Sequence, residues 1–161
     1  MYFESRNESS KGMLAVSLVV MNRVKANHYP NTICDVVYQG PMRESWKTRK
    51  DPDLPKFQRV FYPIKHRCQF SWYCDGKADK VYNQEKWNYI YSLAHSFLFK
   101  YTYGHFNDFT KGAIYYHADY VNPKWAKQKE YVVQIGTHIF YKENPQICLL
   151  YTSDAADDTD S

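Results

Sequence analysis

The sequence predicts an α+β fold in which a helical core carries short antiparallel strands and hairpins. Residues 13–24 are apolar on nearly all sides, as in a buried helix that is too short to span a membrane. Residues 84–101 place apolar side chains at helical spacing, which predicts an amphipathic helix against the core. Residues 132–141 have apolar side chains on both sides of Gly136, which predicts a terminal hairpin. The length of 161 residues favours one domain, which we place at residues 1–148.

The first part of the chain is predicted to be helical. Residues 2–9 form a helical end, followed by a turn through residues 9–12. The apolar helix covers residues 13–26 and ends before Pro30, because proline does not continue a helix and restricts the residue that precedes it. A short helix over residues 33–38 follows.

The middle of the chain is predicted to combine a long loop with short extended segments. Residues 42–63 are polar and basic and are interrupted by prolines, which predicts a long loop that either covers a groove or lies in solvent. Residues 69–73 alternate in the manner of a strand, and residues 74–77 supply a turn. Residues 113–118 are rich in aromatic side chains and predict a second extended segment.

Composition and charge narrow the class of partner. Aromatic residues make up 18% of the chain, and such side chains suit grooves that hold sugar rings, stacked bases or a partner protein. All 21 Lys and Arg residues precede residue 149, together with 13 of the 17 Asp and Glu residues. The resulting excess of eight positive charges favours an anionic partner such as cell wall polymer, nucleic acid or a membrane surface. A solvated basic face without a partner is the alternative.

Two glutamates lie where the polar N-terminal segment meets the apolar helix. Glu4 and Glu8 are four positions apart, which places both on one face of a helix. A carboxylic acid beside apolar packing has its charged form disfavoured, so it can keep a proton and donate it to a glycosidic oxygen. The alternative is that both glutamates are solvated helix charges.

Short motifs along the chain match one family in both residues and order. The motifs are Glu4-Ser5-Arg6-Asn7-Glu8-Ser9, Asn22-Arg23-Val24, Tyr29-Pro30-Asn31-Thr32-Ile33-Cys34-Asp35, Cys68-Gln69-Phe70-Ser71-Trp72, Thr110-Lys111-Gly112-Ala113-Ile114-Tyr115-Tyr116-His117-Ala118 and Ile135-Gly136-Thr137-His138-Ile139-Phe140-Tyr141. They resemble the cell wall hydrolase family typified by the spore cortex-lytic enzymes of sporulating bacteria. The resemblance covers about residues 1–142 and implies a lysozyme-like domain.

The resemblance implies cleavage of the peptidoglycan glycan strand between N-acetylmuramic acid and N-acetylglucosamine, generally as a lytic transglycosylase. Glu4 matches the family's general acid and base. Glu8 matches a supporting or alternative acid that accepts hydrogen bonds from nearby backbone or from Arg23. The muramoyl 6-hydroxyl is the nucleophile, so one carboxyl group suffices. We expect a monomer that uses neither a cofactor nor a metal and has peptidoglycan glycan strands as its partner.

The resemblance also implies two walls of a substrate cleft. Gln69 and Ser71 point to one side of the predicted strand and hydrogen-bond sugar amides, while the intervening side chains face the core. Tyr116 is expected to contact sugar or the catalytic acid, and His117 is either a sugar ligand or a structural histidine. The implied substrate-binding residues are Gln69, Ser71, Trp72, Tyr115, Tyr116 and His117.

The cysteines allow more than one arrangement. Cys68 and Cys74 flank the predicted strand and can form a small disulfide in the oxidising envelope if that strand folds back. Cys34 is expected to be a buried thiol. The alternative is a zinc site using Cys68, Cys74 and another ligand such as His66, although the chain lacks Cys-x-x-Cys and His-x-x-x-His spacings.

Other functional classes stay open: a zinc-dependent amidase, a wall-binding module without catalysis, and a nucleic-acid-binding module, for which no recognised motif is present. We expect an enzyme that acts on the cell wall, has no membrane span and does not bind nucleic acid.

No signal peptide is visible, which predicts release by another route such as phage lysis, or a truncated N-terminus. Residues 149–161 are acidic and small, which predicts a disordered tail that also resembles non-native sequence.

Overall fold

Two long helices and a three-stranded antiparallel sheet form the framework of the computed structural model, which describes residues 1–145. The combination confirms the predicted α+β class. The helices and strands, in chain order, are α1 (Tyr2–Ser5), α2 (Ser10–Lys25), α3 (Ile33–Val37), β1 (Met42–Glu44), α4 (Trp46–Arg49), β2 (Phe61–Pro63), α5 (Gln84–Thr102), β3 (Tyr115–Ala118), β4 (Glu130–Ile135) and β5 (His138–Lys142).

Helix α2 begins earlier than predicted. The Ser9 side chain accepts a hydrogen bond from Gly12 N at 3.2 Å, which is the geometry of an N-cap. The predicted turn over residues 9–12 is therefore wrong, and Gly12 lies inside the helix. A Cβ atom at this position would lie 2.9 Å from Glu8 Cβ, so the glycine permits a close approach of the Glu8 side chain.

The main core lies between α2 and the sheet. The sheet has the order β3-β5-β4, and the central strand pairs Phe140 with Tyr116 on one side and with Val133 on the other. This arrangement confirms the predicted terminal hairpin and the extended segment before it. Buried residues from both layers meet here: Ala15, Val16, Val19, Phe70, Ala113, Ile135 and Phe140.

A second buried cluster holds the short helix α1 in place. Tyr2 is 5% exposed and packs with Met13 of α2 and Ile90 of α5. Its hydroxyl also accepts a hydrogen bond from Asn83 N at 3.3 Å. A helix of one turn is not stable alone in water. The packing of Tyr2 therefore fixes the position of the whole of α1, including Glu4.

Residues 42–63 differ from the predicted loop. Strands β1 and β2 pair antiparallel, with Met42 opposite Pro63 and Glu44 opposite Phe61, and α4 lies between them in the chain. Strands of three residues are too short to produce a periodic pattern in the sequence, and a proline at the end of an edge strand is compatible with pairing.

The strand predicted over residues 69–73 is also wrong. Ser71–Cys74 forms a 3₁₀ helix after an extended Phe70. A disulfide joins Cys68 to Cys74, and His66 N donates to Cys74 O at 3.0 Å. The segment thus closes on itself, and a short closed loop has no straight edge to offer to a neighbouring strand.

Three sequence predictions concern membrane spanning and the C-terminal region. Within residues 1–145, no helix combines the length and apolarity that a bilayer crossing requires. The predicted disordered tail, residues 149–161, lies outside the described residues. The assignment of residues 1–148 to one domain stays a prediction.

Candidate active site

Two adjoining cavities meet at Glu4. The larger one, about 560 Å³ and here called the main cleft, lies between α1, the Gln69–Ser71 segment and β3. The smaller one, about 350 Å³ and here called the side cavity, lies between α1 and the β4–β5 turn. Residues shared by both cavities are Phe3, Glu4, Tyr120 and His138. Glu4 is the one acidic side chain among the described residues that line the main cleft.

Glu4 is held by a hydroxyl from the sheet. The Tyr116 hydroxyl donates to Glu4 Oε1 at 2.6 Å. The Tyr116 ring lies 5.8 Å from Phe140 and meets the edge of His138 at 5.2 Å, so its position is set by packing. Burial, followed by the neighbouring charge of Glu4, raises the pKa of Tyr116 well above its ordinary value. Tyr116 therefore remains a protonated donor toward the carboxyl group.

Glu8 is placed away from the main cleft and is tied to the β4–β5 turn. It accepts hydrogen bonds from the Thr137 hydroxyl and from Thr137 N, the latter at 3.3 Å. His138 Nδ1 lies 3.8 Å from Glu8 Oε1. A Cβ atom at Gly136, where φ is +60°, would lie 2.0 Å from Glu8 Oε2. Of the two donors expected for Glu8, nearby backbone or Arg23, the structure has the backbone N–H of Thr137, while Arg23 Nε donates to Ile114 O.

Arg23 is a buried cation in the wall of the main cleft. It is 5% exposed, and its Nε donates to Ile114 O at 2.8 Å. Its guanidinium carbon lies 5.3 Å from the Tyr29 ring and 5.8 Å from the Phe70 ring. Nη1 has no hydrogen-bond partner within residues 1–145. The positive charge counteracts the rise in the pKa of Tyr116, so it acts on the group that contacts Glu4.

Asn22, the residue before Arg23, links helix α2 to the segment that leads into β3. Asn22 Nδ2 donates to Asp108 Oδ2 at 2.8 Å and to Ala113 O at 3.1 Å. Asp108 also accepts from Thr110 N and Gly112 N, both at 2.8 Å. This network was not predicted, although an Asp two residues before a Thr is the pattern of a side chain that caps its own turn.

Gln69 and Ser71 line the main cleft as the resemblance implied, but not from a strand. Phe70 between them is 3% exposed and packs in the core. Trp72 does not line the main cleft. Its ring stacks on Phe3 at 5.2 Å and lines a neighbouring cavity of about 300 Å³, because the 3₁₀ turn rotates it away from Ser71.

The opposite wall of the main cleft is aromatic and rigidly bonded. The Tyr115 hydroxyl donates to Glu143, which also receives Lys129 Nζ at 2.6 Å. His117 is bonded through both ring nitrogens, to Ala118 O at 2.8 Å and to the Tyr141 hydroxyl at 3.0 Å. The bonds to protein atoms favour the structural role for the histidine. Further lining residues that the site prediction did not include are Phe3, Arg23, Ala118, Tyr120, Val121, Trp125, Lys129 and His138.

The cysteines are arranged partly as predicted. Cys68 and Cys74 form a disulfide with a Cα–Cα distance of 6.1 Å. Cys34 is exposed on α3, so its predicted burial is wrong. Only Val36 of that five-residue helix is buried, and Cys34 lies on the opposite face. Within residues 1–145, no group of three or more His, Cys, Asp or Glu side chains is arranged to hold a metal ion.

Comparison with known proteins relates this geometry to a family. The family model described as cell wall hydrolase matches residues 7–141, a segment that contains Glu8 and begins shortly after Glu4. The structure is similar to the catalytic domain of the germination-specific lytic transglycosylase SleB from Bacillus anthracis, with 25% identity, a TM-score of 0.52 and coverage of 88% of this chain and 86% of that one.

A second solved structure supports the same relationship. The catalytic domain of the SleB protein from Bacillus cereus is 25% identical, with a TM-score of 0.51 and coverage of 88% of this chain and 82% of that one. No curated protein matches the chain significantly. The family model spans most of the described residues, and the fold and motif order agree with it. The chain therefore belongs to the cell wall hydrolase family.

Proposed function

We propose that this cell wall hydrolase cleaves the bond between N-acetylmuramic acid and N-acetylglucosamine in peptidoglycan as a lytic transglycosylase, with Glu4 as its single acid and base. One observation carries the proposal. Glu4 is the one carboxyl group among the described residues of the main cleft, and a protonated Tyr116 bonds it. A reaction whose nucleophile belongs to the substrate needs only one such group.

In the proposed reaction, Glu4 first donates its proton to the glycosidic oxygen while the bond from that oxygen to the muramoyl C1 breaks. The N-acetylglucosamine hydroxyl leaves with this proton. The Glu4 carboxylate then accepts the proton of the muramoyl 6-hydroxyl, whose oxygen bonds to C1 and closes a 1,6-anhydro ring. The net reaction consumes no water and returns Glu4 to its protonated form.

Tyr116 contributes by orienting the carboxyl group and by donating to it. A hydrogen bond to a charged acceptor is stronger than one to a neutral acceptor, so the bond at Oε1 strengthens when Glu4 becomes a carboxylate. Oε2 has no protein donor among the hydrogen bonds of the described residues, which leaves it for exchange of the proton with substrate.

The comparisons support the substrate and the reaction class. The similar Bacillus anthracis domain is a lytic transglycosylase, and the family acts on cell walls. The aromatic wall of the main cleft, with Tyr115 and Trp125 centred 5.7 Å apart, suits the apolar faces of sugar rings.

Mass spectrometry of the fragments released from purified peptidoglycan by the wild type and by Glu4→Gln tests the proposal. We expect anhydro-muramic ends from the wild type and none from the variant. Reducing muramic ends would show hydrolysis through an activated water instead. Free stem peptides would show the amidase alternative, and retention of the wall without release from either protein would show a binding module.

A further inference from the structure

Residues 42–63, here called the hairpin module, form a separate layer of the molecule. None of these residues is buried, and β1 and β2 pair only with each other. The module is nevertheless well bonded inside. Arg59 donates to Glu44 Oε1 at 2.8 Å, to Leu54 O at 3.0 Å and to Pro52 O at 2.9 Å. These residues adopt a defined conformation but contribute no buried side chain to the core. Their structure therefore points to a role other than core packing.

The module contains a cavity of its own, about 430 Å³ in volume. Two aromatic rings line it and are more than half exposed, with Trp46 at 57% and Tyr62 at 58%; the Lys50 ammonium lies 4.4 Å from the Trp46 ring. Exposed aromatic faces flanking a concave site are typical of ligand-binding surfaces. The full lining is Arg43, Glu44, Ser45, Trp46, Arg49 and Tyr62.

The charges in this cavity are unbalanced. Its one carboxylate, Glu44, is paired with Arg59. Arg43 and Arg49 form no ion pair with any carboxylate of residues 1–145. A guanidinium group binds a carboxylate through paired N–H donors. These two guanidinium groups beside exposed aromatic rings therefore suit a ligand that carries a carboxylate.

We propose that the hairpin module is a second peptidoglycan-binding site, in which Arg43 and Arg49 bind a stem-peptide carboxylate while Trp46 and Tyr62 contact the adjoining apolar surface. This inference takes its polymer from the proposed function. The enzyme's family acts on cell walls, and the stem peptides are the part of peptidoglycan that carries free carboxylates. The cavity of about 430 Å³ is large enough to hold a carboxylate with its neighbouring atoms.

The module is connected to the wall of the main cleft. Its base is closed by Ile64 N donating to Pro41 O at 2.9 Å, and the adjoining Gln69 N donates to Gln39 O at 2.9 Å. The Cys68–Cys74 disulfide lies at the same junction. A wall polymer held on the module is therefore kept beside the Gln69 side of the cleft, which raises the local concentration of substrate.

Co-sedimentation with insoluble peptidoglycan, from which attached anionic polymers have been removed, tests the proposal. Every protein in the assay carries Glu4→Gln, so that binding is measured without cleavage of the wall. We expect Arg43→Gln/Arg49→Gln to weaken retention at least about tenfold, the loss of two charge-assisted contacts. Trp46→Ala should weaken it as well. The matched control Lys100→Gln/Lys127→Gln removes two exposed charges elsewhere and should retain the wall as the background does.

Two further arms make the test decisive. Amidation of the wall carboxylates with a carbodiimide should remove the difference between the Arg43→Gln/Arg49→Gln protein and the control. Retention of that double variant equal to the control on untreated wall overturns the proposal. So does a loss of DNA retention with wall retention unchanged, which would identify a nucleic-acid site. Failure of the proposed function would appear separately, as fragment release unaffected by Glu4→Gln alone.

Discussion

The Tyr116 hydroxyl donates to Glu4 Oε1 at 2.6 Å across 112 positions of sequence. This bond joins the first helix to the first strand of the sheet, and each partner is fixed by its own neighbours. Tyr2 anchors the helix in one buried cluster, while Phe140 supports the Tyr116 ring in the other. The candidate catalytic carboxyl group is thus positioned by two independent parts of the core.

Glu4→Gln is expected to lower the rate of glycan cleavage by about 10²- to 10⁴-fold, the usual contribution of a general acid and base. The amide can still accept the Tyr116 bond but cannot exchange a proton. Fragment release from purified peptidoglycan measures the effect. Glu85→Gln, which changes an exposed glutamate of α5, is the matched control, and equal activity of both variants would remove Glu4 from the mechanism.

Tyr116→Phe is expected to reduce kcat/KM roughly 10- to 100-fold, because it deletes one donor to a charged acceptor and keeps the ring that packs on Phe140. Thermal unfolding should change little compared with the rate. Tyr131→Phe, at an exposed position of β4, serves as the control. A fully active Tyr116→Phe protein would mean that orientation of Glu4 does not depend on this bond.

Glu8→Ala is expected to destabilise the fold by about 0.5–1.5 kcal/mol, since the exposed Thr137 donors lose the Glu8 acceptor and bond to water instead. Chemical denaturation measures the change. In a double-mutant cycle with Thr137→Ala, the two effects should be coupled by about 0.5 kcal/mol or more. Additive effects would show that the two side chains act independently, and a loss of activity at full stability would instead make Glu8 a second catalytic candidate.

Asp108 makes stability depend on acid pH. Burial opposes its ionisation, but hydrogen bonds from Thr110, Asn22 and Gly112 outweigh burial and hold the pKa of Asp108 below its ordinary value of 3.8. The lowered pKa means that the carboxylate stabilises the folded state above that value, and this stabilisation is lost as pH falls through the folded-state pKa.

Asp108→Asn should therefore lower the free energy of unfolding at neutral pH, and the gap to the wild type should narrow as pH falls below about 4. Denaturant unfolding at several pH values measures both effects. Asp79→Asn, at an exposed position, should leave the profile unchanged. A gap that stays constant down to acid pH would contradict the role assigned to the Asp108 hydrogen bonds.

Elements with a local pattern of apolar residues were predictable from the sequence. Helix α2 was indicated by a segment that is apolar on nearly all sides, α5 by apolar residues at helical spacing, and the β4–β5 hairpin by apolar residues on both sides of Gly136. The order of the motifs also indicated the family, which the match over residues 7–141 shows. Glu4, Gln69, Ser71, Tyr115, Tyr116 and His117 were expected around one cleft, and all of them line it.

Elements without a local period were predicted less well. The 69–73 segment has the alternation of a strand, but although its disulfide was expected, Ser71–Cys74 forms a 3₁₀ helix and Trp72 lines a neighbouring cavity instead of the cleft. The β1–β2 pair lies in a stretch whose prolines and charges suggested a loop. In both cases the bonds that fix the local structure join residues whose pairing produces no periodic pattern in the sequence.

The sequence by itself determined the α+β class, the family and the identity of the two candidate acids, because these follow from residue type, spacing and order. The tertiary structure alone decided where each of these two side chains lies and which groups it contacts. It puts Glu4 in the main cleft against Tyr116 and directs Glu8 to Thr137. The physical reason is that a carboxyl group's role depends on which donors surround it, and here both donors come from the distant sheet.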